Sequence, residues 1–455
     1  MTEIDAKIID IDVQDIRFPT SLWGTGSDSM HPDVNHSCVY VTIKTDKEYE
    51  GYGITCTVGR GNELVLQVCK LLFKFIKNQT TKEIYTDFAS VWRRLRNEFR
   101  LVEPECGIVY LAAAAIINAL WDLWARIENK PVWKLLTDMT PEELVSTVDF
   151  RYITNFLSKE EAIQMLQENE KRKDQFESAL KKNGYPAYVA DVGWVRYPFQ
   201  KTRDLSRKFA KLDFKVFKTS LDPTLERTIS RCQTIRKTIG KKKSLILDAN
   251  QAWDVMEVSD YMKALESFKI FYLEDPIFPD DMVGYTIISG DLGSQIKLAT
   301  GKMCANRIIQ KRFKTFPGPD ICVINVARLG INEALAIYLM LKKARSPTHN
   351  YYDIKWSCAN GVGLSEMNQH LQMWDFICLS QSTEKGMIEF VNHQHGYFEN
   401  PIHIQNACYM PPKYPGFSTK LKNKCIARWS YPKGTRWQYL FQTGHFQNEY
   451  EANDA

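Results

Sequence analysis

Hydrophobic and polar positions change rhythm partway along this chain. Residues 38–45 (Cys-Val-Tyr-Val-Thr-Ile-Lys-Thr) alternate with a period of two, which predicts a half-buried strand. Residues 52–57 form a second such run across the polar link 46–51, so the two are expected to pair. A helical zone follows at 62–75. A second helix is marked at 112–124, where alanines allow close packing and the large apolar residues recur at three and four. The apolar stretch from Pro131 to Leu136 closes this part, which reads as an α+β domain over residues 1–145.

From residue 146 the pattern becomes one of short apolar runs. Strands are predicted at 146–150, 214–217, 245–248, 271–273, 297–300, 322–325, 354–356 and 377–379. Helical stretches at 225–239, 255–268, 306–313 and 332–344 separate several of them. Strands alternating with helices over residues 146–400 predict a (β/α)₈-type barrel. A doubly wound open sheet is the alternative that strand counting leaves open. The remainder, 401–455, is rich in Pro, Tyr and Lys and is expected to return to the first domain, with the last residues flexible.

Three of the runs end on a charged side chain, as strands do when they deliver a group to a barrel mouth. Asp248 closes Leu-Ile-Leu-Asp, Glu274 closes Phe-Tyr-Leu-Glu, and Lys302 closes Leu-Ala-Thr-Gly-Lys. Three carboxylates at such places would make an oxygen site for Mg²⁺. Two carboxylates and a lysine make an ion pair instead.

Composition narrows the classes. The 455 residues are 44% apolar and 25% charged, enough for a large core and too apolar for disorder. A net charge of +5 is mild at this size and favours neither nucleic acid nor a membrane surface. The run Lys241-Lys242-Lys243 reads as a solvated helix end or turn. Tyr and Trp are frequent but scattered, without the stacking platform that single-stranded nucleic acid needs. Eleven cysteines, an odd number with no CxxC pair, point to free thiols in a reducing compartment. No run of roughly 18 apolar residues suggests a membrane span. The first residues show neither a signal core nor an Arg/Ser-rich presequence, so the cytosol is expected.

Separated motifs carry a family resemblance. They include Arg17-Phe18-Pro19-Thr20-Ser21-Leu22, Asp149-Phe150-Arg151-Tyr152-Ile153-Thr154, Asp248-Ala249-Asn250-Gln251 and Pro279-Asp280-Asp281. Arg328-Leu329-Gly330, Gly361-Val362-Gly363-Leu364 and Tyr409-Met410-Pro411-Pro412-Lys413 follow in order. At these residues the chain resembles the enolase superfamily and, within it, the L-fuconate dehydratase family, over about residues 12–431. The resemblance implies a capping domain over a modified barrel, with Mg²⁺ held on the third, fourth and fifth strands. The metal would hold the carboxylate of an acid sugar and stabilise the enediolate formed on loss of the α-proton. A Lys-x-Lys on the second strand and a His paired with an Asp would supply base and acid. Loss of water would give a 2-keto-3-deoxy sugar acid. A homo-oligomer and a mitochondrial location are also implied as open expectations.

Set on that pattern, Asp248 and Glu274 match the first two metal ligands and Lys302 the third. Asn250 and Asp275 stand as polar neighbours of the site. Lys215 matches the first lysine of the pair, and Phe217 falls on the base. Lys218 comes one residue late and reaches the interior only if a bulge turns it. Cys358 stands at the histidine's place and Asn325 at its aspartate partner's. His349 precedes the seventh strand and belongs at the opposite mouth. Glu384 matches an eighth-strand acid. Gly59-Arg60-Gly61 is read as a cap loop near the mouth. The expectation is a barrel that keeps its shape but has lost metal-assisted proton abstraction. An acid sugar or other anion would still bind, near Lys302 and Lys215. The alternative is a working dehydratase with Lys218 or Lys302 as a rewired base.

Overall fold

The computed structural model describes residues 4–102, 107–293, 296–315, 318–344, 354–358, 360–384 and 386–447. His349 and the final residues lie outside them.

The chain opens with an antiparallel sheet of three strands, β1 (Ile8–Arg17), β2 (Ser37–Thr45) and β3 (Glu50–Thr57), in that order. The helix Gly107–Ile127 lies across it, with 17 of its residues buried, which is why it is apolar nearly all round. By length and composition it could cross a membrane, but here it is a core helix. It packs so close to β3 that a Cβ on Gly53 would stand 2.0 Å from the Ala115 carbonyl oxygen.

Eight parallel strands then close a barrel. They are β4 (Tyr185–Gly193), β5 (Val216–Ser220), β6 (Ser244–Asp248), β7 (Ile270–Glu274), β8 (Lys297–Thr300), β9 (Ile321–Ile324), β10 (Ile354–Ser357) and β11 (Gly386–Phe390). Each pairs with the next, and β11 pairs with β4 to complete the ring. The open sheet is thereby excluded.

Two predicted strands are not strands. Residues 146–150 follow the helix Pro141–Ser146, which Thr140 and Glu143 start with a capping box. Val145 and Val148 are buried there as helix-end core, and the first barrel strand is β4, 35 or more residues later. Its run, Tyr-Pro-Ala-Tyr-Val-Ala-Asp-Val-Gly, hides behind Pro186 and Asp191. Residues 377–379 belong to a wide helical turn, Asp375–Ser380, that prolongs the helix Leu364–Trp374. A buried helix segment and a buried strand share the same short apolar run, so periodicity cannot separate them.

A hairpin, β12 (His403–Gln405) and β13 (Cys408–Met410), adds to the outside of β4. The chain then runs back to the three-stranded sheet. The Tyr431 amide donates to the Asp15 carbonyl at 2.8 Å, and the Trp437 indole to the Arg17 carbonyl at 2.9 Å. Between the helix Phe88–Asn97 and the barrel lies a buried ionic cluster: Arg307 holds Asp149 at 3.2 Å and Glu333 at 2.9 Å, and Arg96 joins Glu333 at 3.1 Å. Every charge in it has an opposite partner, as burial requires.

Candidate active site

In a barrel of this kind the carboxyl ends of the strands form the functional mouth. Register fixes which side chains point there. Ser220 of β5 pairs with Asp248 of β6, which pairs with Glu274 of β7. Alternation then places Lys218 on the same inner face, one layer below Ser220. Its ammonium is buried at 2.9 Å from Glu389, 3.2 Å from Glu274 and 3.3 Å from Asp248.

This corrects the reading of the second strand. The pairing of β5 with β6 is continuous, so no bulge in β5 is needed. The strand begins two residues later than residues 214–217 suggest, and its inner positions are Lys218 and Ser220. Lys215 has no part in the site: its exposed ammonium pairs with Asp213 on the outside. Phe217, fully buried, faces the surrounding helices. The two inner places that the resemblance assigns to Lys-x-Lys are therefore filled by Lys218 and Ser220.

Above Lys218 sits the second ammonium. Lys302 Nζ donates to both oxygens of Asp248, at 2.8 and 2.6 Å, and to Asn250 Oδ1 at 3.2 Å. It also lies 3.1 Å from Glu274 Oε1 and 3.4 Å from Asp275 Oδ2. Four carboxylates and two ammoniums thus share one buried cage. The Thr300 hydroxyl donates to Asp275 at 2.5 Å. The backbone bends sharply here: Asn250, Gln251 and Asp275 all have positive φ, at 49°, 66° and 39°. Such conformations gather where a site's geometry overrides local preference. Beneath the cage Tyr188 and Tyr272 pack on Trp356, with ring centroids 4.7 and 5.2 Å apart. This aromatic floor keeps the cage dry and its electrostatics strong.

The charges set each other. Burial pushes the Asp248 carboxyl up, but Lys302 and then Lys218 outweigh it and hold it below the usual range. Burial alone would lower both lysines; Asp248 and Glu274 raise Lys302, and Glu274, Glu389 and Asp248 raise Lys218, well above an ordinary lysine. Neither is a base near neutrality. Burial pushes Asp275 up to about 6 against the pull of Lys302, with Glu274 and Asp248 adding to the rise.

Both Asp248 oxygens accept hydrogen bonds from Lys302 and Glu274 Oε2 accepts one from Lys218, while Glu274 Oε1 lies in an ion pair 3.1 Å from Lys302 Nζ. A protonated amine donates and cannot coordinate. Among the described residues no three His, Cys, Asp or Glu side chains are arranged to hold a metal ion. The point on which the carboxylates of Asp248, Glu274 and Asp275 converge is taken by the Lys302 ammonium.

The other predicted places are inert or elsewhere. Cys358 is buried, its thiol 3.5 Å from the Ile324 carbonyl and pushed far up by burial and then by Glu389. Asn325 caps the short helix Val326–Leu329 with its Oδ1 and gives its amide to the Lys302 carbonyl at 3.2 Å. Glu384 is exposed before the start of β11, on the far side of the barrel from the mouth. The eighth-strand acid in the cage is instead Glu389. Its signal, Gly-Met-Ile-Glu-Phe, repeats the apolar-apolar-acid pattern of Asp248 and Glu274, but the misplaced eighth strand hides it. The cap reaches the mouth through residues 18–36. Ser27 binds the Arg196 amide at 2.9 Å, and Asp28, raised by burial, feels both Asp248 and Lys302. His36 meets His393, which follows β11, at 3.1 Å.

Comparison with known proteins agrees with this fold. Residues 25–137 match the mandelate racemase / muconate lactonizing enzyme N-terminal domain, and residues 201–425 match the enolase C-terminal domain-like family. Mitochondrial enolase superfamily member 1 of Homo sapiens is 41% identical over 443 residues, covering 96% of this chain and 98% of that protein. The L-galactonate dehydratase of Hypocrea jecorina is 38% identical over 433 residues, covering 93% and 94%. The crystal structure of the human protein superposes with a TM-score of 0.93 at 41% identity, over 96% of this chain and 99% of that one. An L-talarate dehydratase of Polaromonas sp. JS666, solved with Mg and L-glucarate, shares the fold at a TM-score of 0.68 and 17% identity, over 94% and 98%.

Proposed function

The chain belongs to the enolase superfamily, among its acid-sugar-dehydratase-like members, and from that premise we propose that it has given up metal-assisted proton abstraction. Lys302 supplies one fixed positive charge where the resemblance implies Mg²⁺, and Lys218 a second. The protein keeps the barrel and cap as a binding scaffold without the family's turnover.

One observation carries this reading: Lys302 Nζ lies within 3.1 Å of both carboxylates that would bind the metal. The chemistry of the remaining places supports it. An α-proton next to a carboxylate is too weakly acidic to remove unless the resulting dianion is stabilised and a neutral base stands ready. At the base's place Ser220 offers only a hydroxyl. Cys358 and Asn325 stand where the resemblance puts the His–Asp pair, and no carboxylate there would raise an imidazole. The rewired base fails for a specific reason. Lys218 does point inward, but three carboxylates hold its proton, and a protonated ammonium abstracts nothing. The acid sugar's own carboxylate would also meet a cage with four acids to two ammoniums, and Lys215 is not there to greet it.

The test is turnover. Purified protein is incubated with L-fuconate and with L-galactonate in Mg²⁺, and 2-keto-3-deoxy acid is measured. No product above the protein-free control is expected; steady, enzyme-dependent product from either sugar acid would overturn the proposal.

A further inference from the structure

At the other end of the barrel, where β6, β7 and β8 begin, lies a cavity of about 880 Å³. Lys241, Lys242, Lys243, Lys269 and Lys297 line it, with Glu266 as the one acidic side chain in its wall. None of the five lysines lies within ion-pair distance of a described carboxylate, although Asp213, beside Lys215, attracts Lys243 from outside the wall; the lysines of the cage at the mouth are saturated with carboxylates.

The gathering is built into the backbone. Arg236 spends its whole guanidinium on main-chain carbonyls. It donates to Gly240 at 3.0 Å and Lys243 at 2.6 Å from one side, and to Phe268 at 2.7 Å and Lys269 at 3.2 Å from the other. That fork ties the turn before β6 to the turn before β7 and so presents the lysines of both to one space. Lys269 itself is held at a φ of 51°, in the left-handed region. An L side chain there costs about 1 kcal/mol, and Gly or Asn would sit more easily. Lys297 adds a fifth ammonium from β8, 5.8 Å from the Phe271 ring centroid. With Arg236 the cavity carries six cations against Glu266, in a chain whose whole net charge is only +5. Like charges lining one cavity repel one another and oppose folding, the more so at low salt. A compact anion of several charges removes that cost.

We propose that this cavity binds a polyphosphorylated small molecule, its phosphates held by Lys241, Lys242, Lys243, Lys269 and Lys297. Ammonium groups suit phosphate as point charges that need no fixed fork. The volume lies in the usual range for a small-ligand site. A single carboxylate would engage one or two of the lysines and leave the rest repelling. Clustered phosphates come either free or on a phosphoinositide headgroup, and the two sources are separable.

Inorganic tripolyphosphate is titrated into the full chain in metal-free buffer, followed by calorimetry and by melting temperature. The expected result is saturable binding of one ion per chain, a higher melting temperature and weakening with salt. Sulfate at equal ionic strength should not reproduce the shift. The double variant Lys242→Glu/Lys269→Glu should bind at least about tenfold more weakly. Arg203→Glu/Arg207→Glu, on another basic surface, should bind like the parent. If the first variant does not fold, Lys242→Gln/Lys297→Gln is measured in its place. Phosphatidylcholine vesicles carrying phosphatidylinositol bisphosphate, compared with phosphatidylserine vesicles of equal charge, identify the source. Sedimentation with the former alone supports a headgroup; sedimentation with neither, while tripolyphosphate binds, supports a soluble polyphosphate. Absence of saturable tripolyphosphate binding, parent-like binding by the lysine variants, or equal sedimentation with both vesicles would refute the site.

Discussion

Replacing Lys302 by glutamate tests whether an ammonium has taken a metal's place. In the parent, Lys302 Nζ lies 2.6 Å from Asp248 and 3.1 Å from Glu274, with its side chain 15% exposed. At an effective dielectric of about 20, one such contact near 2.6 Å is worth about 6 kcal/mol of attraction, most of it offset by desolvation of both charges. Removing one partner of a buried pair leaves the others uncompensated and typically costs about 3–5 kcal/mol. Lys302→Glu goes further, because it adds another carboxylate to the three that lose Lys302 as a partner. Without metal the variant should therefore lose at least about 3 kcal/mol. Three carboxylates at these places are, however, the oxygen set that a divalent ion prefers. At a Mg²⁺ concentration a hundredfold above its Kd, binding to the native state alone returns about 2.7 kcal/mol. Urea unfolding with and without Mg²⁺ measures both numbers. The parent should be indifferent to Mg²⁺, Lys302→Glu weak without it and strengthened by it, and Lys302→Met weak in either condition. Saturable stabilisation of the parent by Mg²⁺ would refute the substitution of lysine for metal, and so would a Lys302→Glu variant as stable as the parent in chelator.

Further predictions reach other parts of the molecule. Asp275, pushed up to about 6, binds its proton more tightly folded than unfolded, so its ionisation subtracts stability as pH rises from about 4 to 6. The stability of Asp275→Asn relative to the parent should grow across that window and level off above it; urea midpoints from about pH 4 to 8 would contradict this if the gap shrank. Cys358, buried with its thiol pushed far up, should escape alkylation by iodoacetamide near pH 8 in the native protein and react once unfolded, as peptide mass spectrometry would report. Gly53→Ala should destabilise by about 1–3 kcal/mol or more, since its methyl would meet the Ala115 carbonyl at 2.0 Å and the Ala119 amide at 2.5 Å; a melting temperature unchanged from the parent would show that the helix Gly107–Ile127 can shift away.

What the sequence discloses and what it hides differ for a physical reason. The ends of β6, β7 and β8 are legible because each is a short apolar run stopped by one charged residue, and the spacing between stops is that of a strand-helix unit. Asp248, Glu274 and Lys302 can be placed at one mouth before any coordinate is known. The direction of Lys218 is another matter. In a strand, facing in or out is decided by parity, and parity must be counted from an end that Phe214-Lys215-Val216-Phe217-Lys218 does not mark, since its three apolar residues suit either face. Only the partner register, Ser220 opposite Asp248, settles it. Glu389 is hidden by competition: the apolar run Phe376-Ile377-Cys378-Leu379 is the stronger strand signal, yet it is buried helix, and the real eighth strand offers only Met387-Ile388 before its acid. The basin around Arg236 is hidden differently again. Lys241, Lys242 and Lys243 look like a solvated run because Lys269 and Lys297, from later strands, are far away in sequence. Their convergence depends on a guanidinium bonded to carbonyls of two separate turns, a contact that no local pattern carries. Local patterns thus give where a strand stops. What faces what is a tertiary property, and both the ammonium-filled cage and the lysine-lined basin are properties of that second kind.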